Sequence, residues 1–273
     1  KFRNKKAQGM DNFKIEIVRV LWRKKPEAIY DLMNNCFIQR IFPRQWKESN
    51  LKIILKGEKR DRTLLNSYRS ISLLSVVGKI FEKIIVDRIQ ETYKNAGLES
   101  PDQFGFKKGK GTDDAFLSLR RAIKFSEKKY IITIFVDIEG AFDNLCWAAI
   151  LARLVSAKCS SHILNIVKSY FRNRKVTVKN KMKTYSRYME KGCPRVSIIG
   201  PAAWVWSMDA VLNNLRRGVP TEFCDLIAYA DDLAWVIKGD TRSEILTYSK
   251  IVMEILAELC NSYKLKISDK KTV

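Results

Sequence analysis

Apolar residues recur along this chain at two different periods, and the change between them divides it. Pro26 suits a first helical turn, and a helix is predicted from it to about Arg40. Ser75 is placed to cap a second helix, in which Val77, Ile80, Phe81, Ile84, Ile85 and Ile89 keep helical spacing, with Gly97 beyond its end. Thr112 is placed to cap a third, with Asp113 and Asp114 at the positive end of its dipole and Phe116, Leu119 and Ile123 as its apolar face. The period then changes. Tyr130–Val136 is β-branched and aromatic, a buried strand running into Asp137. Helices are expected at Trp147–Val155 and Ser161–Phe171, a basic hairpin at Lys175–Val178 and Thr184–Met189, and an apolar helix over Pro201–Leu215. Phe223–Tyr229 and Leu233–Ile237 read as two strands separated only by Ala230-Asp231-Asp232. A long amphipathic helix, Ser243–Tyr263, and a short strand, Leu265–Ile267, come last. The fold class that follows is α+β, an antiparallel sheet with helices packed on one face.

Composition narrows the function. With 273 residues, 46% of them hydrophobic, the chain can bury a sizeable core and is not disordered. No apolar run approaches the roughly 18 residues of a membrane span, so no membrane partner is expected. The basic start, Lys1 to Lys6, is not followed by a leader's apolar stretch, and the absence of an initial Met suggests a piece of a longer protein. Lys and Arg outnumber Asp and Glu by 51 to 29, a net charge of +22, of which +15 falls in residues 1–130 and +7 in 131–273. A field of that size points to a polyanion, by default nucleic acid. Six cysteines without a C-x-x-C pair, and His162 as the only histidine, argue against a Cys/His zinc site and against histidine-based catalysis. Reduced thiols fit an intracellular, unsecreted protein. The chemistry falls to carboxylates, lysines and metals.

Two segments put acids where a core does not want them. Asp137 ends the apolar run Ile-Ile-Thr-Ile-Phe-Val, and Asp231-Asp232 lies between Leu-Ile-Ala-Tyr and Leu-Ala-Trp-Val-Ile. Unpaired buried carboxylates are costly, so acids at strand ends face water, cap a helix or hold a cation. If these segments are adjacent strands, three carboxylates converge at one edge and suit two Mg²⁺ ions about 3.5–4 Å apart, as in-line phosphoryl transfer requires.

The neighbourhood of these acids carries a family resemblance. FVDIEGAFDNL (Phe135–Leu145) resembles the first catalytic motif of reverse transcriptases, and LIAYADDLAWVI (Leu226–Ile237) their Tyr-x-Asp-Asp hairpin. NSYRSISLLSVVGKIFEKIIVDRI (Asn66–Ile89) and DQFGFKKGKGTDDAF (Asp102–Phe116) are similar to fingers segments of the non-LTR, LINE-type retrotransposon lineage. GCPRVSIIGP (Gly192–Pro201) resembles Cys-Pro-Gln-Gly-Ser-x-x-Gly-Pro, and KLKISDKKT (Lys264–Thr272) the palm segment that follows it. The ordered set spans roughly residues 26–273 and implies the fingers-palm core of a right-hand polymerase that extends a DNA 3′ end on an RNA template.

The resemblance also implies roles. Asp137 and Asp231 would ligate two metal ions (Mg²⁺, with Mn²⁺ as an alternative), helped by Asp232 and by the backbone carbonyl of Ile138. Phe142 would be the steric gate against ribonucleotides, and Tyr229 would touch the primer end. Arg69 and Lys56 would hold the incoming dNTP, and Lys271 would serve as the acid for departing pyrophosphate. Arg195 and Val196 would lie beneath the nascent base pair. Template and duplex would meet Gln103, Lys107, Lys108 and Lys110 in one loop and Arg172, Arg174 and Lys175 in the basic stretch 168–191, whose interleaved tyrosines suit stacking. The expected domains are fingers over 1–130, palm over 131–149 and 192–273, and a connection over 150–191 carrying the hairpin; no thumb segment follows Lys271. Partners would be the element's own transcript, a DNA primer or target, and dNTPs, in nucleus and cytoplasm. The chain departs from the family where Arg195-Val196 replaces Gln-Gly. That leaves a second reading open, a catalytically impaired, basic RNA-binding remnant.

Overall fold

The computed structural model of the chain describes residues 7–180, 182–268 and 272. Helices α1 (Ile15–Lys24), α2 (Pro26–Ile38) and α3 (Arg44–Lys47) lead into strands β1 (Glu48–Leu55) and β2 (Tyr68–Leu73), then α4 (Val76–Asn95) and α5 (Thr112–Lys124). Next come β3 (Tyr130–Glu139), α6 (Ala141–Asn144), α7 (Trp147–Ser156), α8 (Ser161–Phe171) and the hairpin β4 (Lys175–Lys179) and β5 (Thr184–Tyr188). The chain continues through α9 (Ile199–Gly218), β6 (Cys224–Tyr229), β7 (Asp232–Gly239), α10 (Arg242–Ser262) and β8 (Lys266–Ile267). Among the described residues no helix is long and apolar enough to cross a membrane.

The chain packs as two compact units, Lys1–Tyr93 with Leu154–Gly200 and Lys94–Arg153 with Pro201–Val273. In the first, β2, β1, β4 and β5 form one sheet in that order. The expected basic hairpin is there, and its strand β4 also runs parallel to β1, with Glu48 opposite Lys175. Helix α1 and strand β2 were not apparent in the patterning. The second is too polar to declare itself without its partner β1. The core is aromatic: Phe42 packs edge-on against Tyr170 at 5.0 Å and Trp46 at 5.8 Å, and lies 5.8 Å from Phe81. Ser75 caps α4 as expected, its Oγ accepting from Gly78 N at 3.1 Å. A Cβ on Gly78 would stand 2.8 Å from Trp46 Cβ, so only glycine lets α4 approach that ring.

The second unit is built on the antiparallel sheet β6-β7-β3-β8. Leu233 through Ile237 of β7 are all buried, so this strand anchors the unit. Helix α5 packs on β6 and β7 through Ala115, Leu119 and Ala122 against Ile227, Ala234 and Val236. Phe116 and Ile123, expected on its inner face, are 65% and 42% exposed, because the small side chains Ala115 and Ala122 let the helix approach more closely on an adjacent stripe. Its N-cap is Gly111 rather than Thr112, and Asp114 accepts from Gly111 N at 2.7 Å. Strand β3 extends past Asp137 to Glu139, and Ile131, Ile132 and Phe135 on it remain exposed rather than buried.

Candidate active site

The acids meet through strand register. β3 and β7 pair with Asp137 directly opposite Asp232, and β6 and β7 pair with Tyr229 opposite Asp232. Only Ala230 and Asp231 remain to turn the chain. Ala230 has φ of +59° and Asp231 does not share the left-handed region, the pattern of a type II′ hairpin turn, in which glycine is favoured at the first position. Asp137 and Asp231 are half-buried and Asp232 is exposed. Ser268 N donates to Asp137 O at 2.9 Å, tying the end of β3 to the segment after β8. Among the described residues no three carboxylate, thiol or imidazole groups converge into a ready-made cation cage, contrary to the expectation of three convergent carboxylates. Asp232 opens a strand whereas Asp231 sits in the turn, and successive side chains diverge there. The donors nevertheless fit a hard divalent ion: all are oxygens, on adjacent strand ends and open to solvent.

The turn is supported from behind. Asp102–Phe104 runs parallel to β6, with Ala228 N donating to Asp102 O and Phe104 N to Ala228 O, both at 2.8 Å. Gln103, expected on the nucleic-acid surface, is fully buried. Its Oε1 accepts from Gly105 N at 2.8 Å and Ala230 N at 3.0 Å, so its amide serves the turn instead. Trp204 Nε1 donates to Ala230 O at 2.8 Å. The apolar run of α9 gave no sign of that role for Trp204; the glycine of QFGF was the available signal for close packing here. Phe142, on α6, is half-buried, its ring 6.0 Å from Phe106 and 6.2 Å from Trp204. Tyr229 packs beside the Ala115, Ile227, Ala234 and Val236 cluster.

Other candidate residues divide into inward and outward sets. Lys107 turns inward: its Nζ donates to Ser100 O at 2.7 Å and lies 3.3 Å from Asp209 Oδ1. Burial pushes the Asp209 carboxyl up to about 6 against the opposing pull of Lys107. Lys110 Nζ donates to Pro101 O at 2.8 Å and sits 4.5 Å from the Phe104 ring centre, and burial draws it below the ordinary lysine range. Lys108 is exposed. In the first unit Arg174 is only 1% exposed, its guanidinium 4.2 Å from the Tyr170 ring centre, which removes it from the surface contacts expected of it. Arg172 is exposed and Lys175 half-buried, and on β5 Tyr185 and Tyr188 are exposed.

Arg69 lies opposite Ile54, and Lys56 N donates to Ser67 O, so the two basic residues project from the same face of the β1-β2 ribbon. Both are exposed. Arg195 and Val196 occupy an exposed turn in which Ser197 N donates to Pro194 O at 3.0 Å. Val196 has no left-handed φ, so the backbone itself does not require glycine at this point. Lys271 lies outside the described residues.

A hairpin carrying Tyr-x-Asp-Asp, registered against a strand that ends in Asp, on an antiparallel sheet backed by helices defines a nucleic-acid polymerase palm. The family profile of reverse transcriptase (RNA-dependent DNA polymerase) matches residues 54–273, and the chain belongs to that family, in its non-LTR retrotransposon branch. It is 32% identical over 256 residues to the putative 115 kDa protein in type-1 retrotransposable element R1DM of Drosophila melanogaster, covering 94% of this chain and 24% of that protein. It is 36% identical over 241 residues to the retrovirus-related Pol polyprotein from type-1 retrotransposable element R1 of Bradysia coprophila, covering 88% and 23%. The RNA-directed DNA polymerase from mobile element jockey of Drosophila funebris is 27% identical over 88% of this chain and 26% of its own length. The chain thus spans about a quarter of the length of these relatives. A solved apo telomerase from Candida tropicalis, truncated from its C-terminal domain, shares the fold with a TM-score of 0.64 at 14% identity, over 90% of this chain and 55% of that one.

Proposed function

We propose that this chain is the polymerase core of its element's reverse transcriptase, extending a DNA 3′ end with dNTPs on the element's own transcript. The observation that carries the reading is the register of β3 with β7, Asp137 opposite Asp232, beside Asp231 in the turn. The unit of Lys94–Arg153 and Pro201–Val273 would then carry the palm together with residues 94–130, expected in the fingers, and that of Lys1–Tyr93 and Leu154–Gly200 the fingers together with residues 192–200, expected in the palm.

In this reading Asp137 and Asp231, with Asp232 and the Ile138 carbonyl, hold two divalent ions, Mg²⁺ or Mn²⁺. When bound, the ions lower the pKa of the primer 3′-hydroxyl and neutralise charge on pyrophosphate. The protein's own task is to orient. Phe142, braced by Phe106 and Trp204, occupies the space that a ribose 2′-hydroxyl would need. Arg69 and Lys56, on one face of a ribbon, bind the triphosphate, Arg69 through its two-pronged guanidinium. Lys108, Arg172, Lys175 and the tyrosines of β5 track the nucleic-acid backbone and stack on its bases.

Primer extension on an RNA template tests the proposal. Asp231→Asn should lower dNTP incorporation by about 10²-fold, since misplacing reacting groups by about 1 Å can cost that much. Affinity for an RNA–DNA duplex should stay unchanged. Incorporation that survives the substitution intact would remove Asp231 from the chemistry and the reading with it.

A further inference from the structure

The turn that presents Asp231 is held in a conformation it would not choose alone. Ala230 sits at φ +59°, where a residue bearing a Cβ is crowded. Both polar atoms of its backbone are engaged from outside the hairpin. Its N–H donates to Gln103 Oε1 at 3.0 Å, and its carbonyl accepts from Trp204 Nε1 at 2.8 Å and from Gln103 Nε2 at 3.4 Å. A primary amide is the side chain that can accept and donate at once to one peptide unit's neighbours, and Gln103 Oε1 uses its second lone pair on Gly105 N at 2.8 Å. Gly105 closes the clamp sterically: a Cβ there would stand 2.1 Å from Ala230 N. Gln103 has no exposure through which to meet a ligand itself.

We propose that Gln103 is a positioning residue of the polymerase site, clamping the left-handed turn at Ala230 and so setting where Asp231 offers its carboxylate to a divalent cation. The inference rests on the two-cation reading above. It differs from ordinary core satisfaction in one respect: the need for Gln103 is tied to the strain at Ala230. Glycine at 230 takes positive φ freely and should relax that need.

The test uses the chain with Gln103→Met, Ala230→Gly and both together. Amide hydrogen exchange is read at residues 230 and 231, and Mn²⁺ binding is read by electron paramagnetic resonance. Gln103→Met should speed exchange at the turn, relative to the rest of β6 and β7, and weaken Mn²⁺ binding, each by about tenfold, the size expected from a lost buried hydrogen bond. Adding Ala230→Gly should recover most of both losses. Exchange that rises uniformly across the sheet, or a double variant no better than Gln103→Met, would overturn the clamp and leave Gln103 a general core residue. Should Gln103→Met not fold, Trp204→Phe removes only the donor to Ala230 O and should shift the same two readouts in the same direction; no shift overturns the clamp. A parent chain that binds no Mn²⁺ defeats the two-cation reading and the cation-placing half of this proposal, while exchange at the turn still decides the clamp.

Discussion

Asp209 is a residue whose charge the fold resists. Burial raises its carboxyl to about 6, so the folded chain holds that proton more tightly than the unfolded chain does. The stability it contributes is therefore fully present below the ordinary aspartate value of 3.8 and is lost as pH rises through about 6. Thermal melts between about pH 4 and 7 should show the parent losing stability relative to Asp209→Asn. A difference between the two that is flat with pH would mean that Lys107 holds the carboxylate ionised throughout. Val196 makes the opposite case, a residue that the fold tolerates easily. It is 39% exposed and unstrained, so restoring Gln-Gly at 195–196 should destabilise the chain by no more than about 1 kcal/mol, through added freedom in the unfolded state. If a bare backbone is what the nascent base pair needs, the same change should raise the single-turnover extension rate more than about tenfold, as small repositioning of reacting groups can. Equal rates would show the pair to be neutral. At this scale the sequence revealed which residues have the right chemistry but not which way they face. Asp137, Asp231 and Asp232 were identifiable because acids interrupt apolar runs. Gln103, Lys107 and Arg174 look like surface contacts in a basic stretch, and only burial shows them turned inward.

Among the elements, α9 owes its start to a distant carboxylate. Glu82 on α4 is buried and accepts from Ile198 N at 2.5 Å and Ile199 N at 3.2 Å, donors that the first turn of a helix leaves unpaired. Burial raises the Glu82 carboxyl, while the attraction of buried Arg174 opposes that rise. Removing one member of a buried charged pair typically costs about 3–5 kcal/mol, and Glu82→Ala should approach that loss in urea unfolding. Glu82→Gln, which keeps an acceptor, should lose less. A loss under about 1 kcal/mol for the alanine variant would mean that water replaces the carboxylate at little cost. No local pattern announces such a contact, because Glu82 reads as one more polar position on an amphipathic helix. The same limit explains the unforeseen β2, whose sequence becomes a strand only when β1 lies beside it. Elements with strong local signals, α8 and the β4-β5 and β6-β7 hairpins, were legible to within a residue or two.

For the whole molecule, the +22 charge sets the terms on which the proposed function would engage nucleic acid. If about five exposed basic groups neutralise phosphates, the affinity for an RNA–DNA duplex should fall with salt along a log–log slope of about −4. A slope near zero would leave the basic surface without a partner. The order of segments along the chain governs how the protein comes into being. The second unit is discontinuous, and Gln103 must find Ala230 at a sequence separation of 127. Synthesis runs from the N-terminus, so β3 leaves the ribosome with its partner β7 not yet made. Loop closure over that distance comes late and slowly. The turn at Ala230 and Asp231 therefore cannot be registered against β3 until β7 has emerged, which puts it among the last features of this sheet to form.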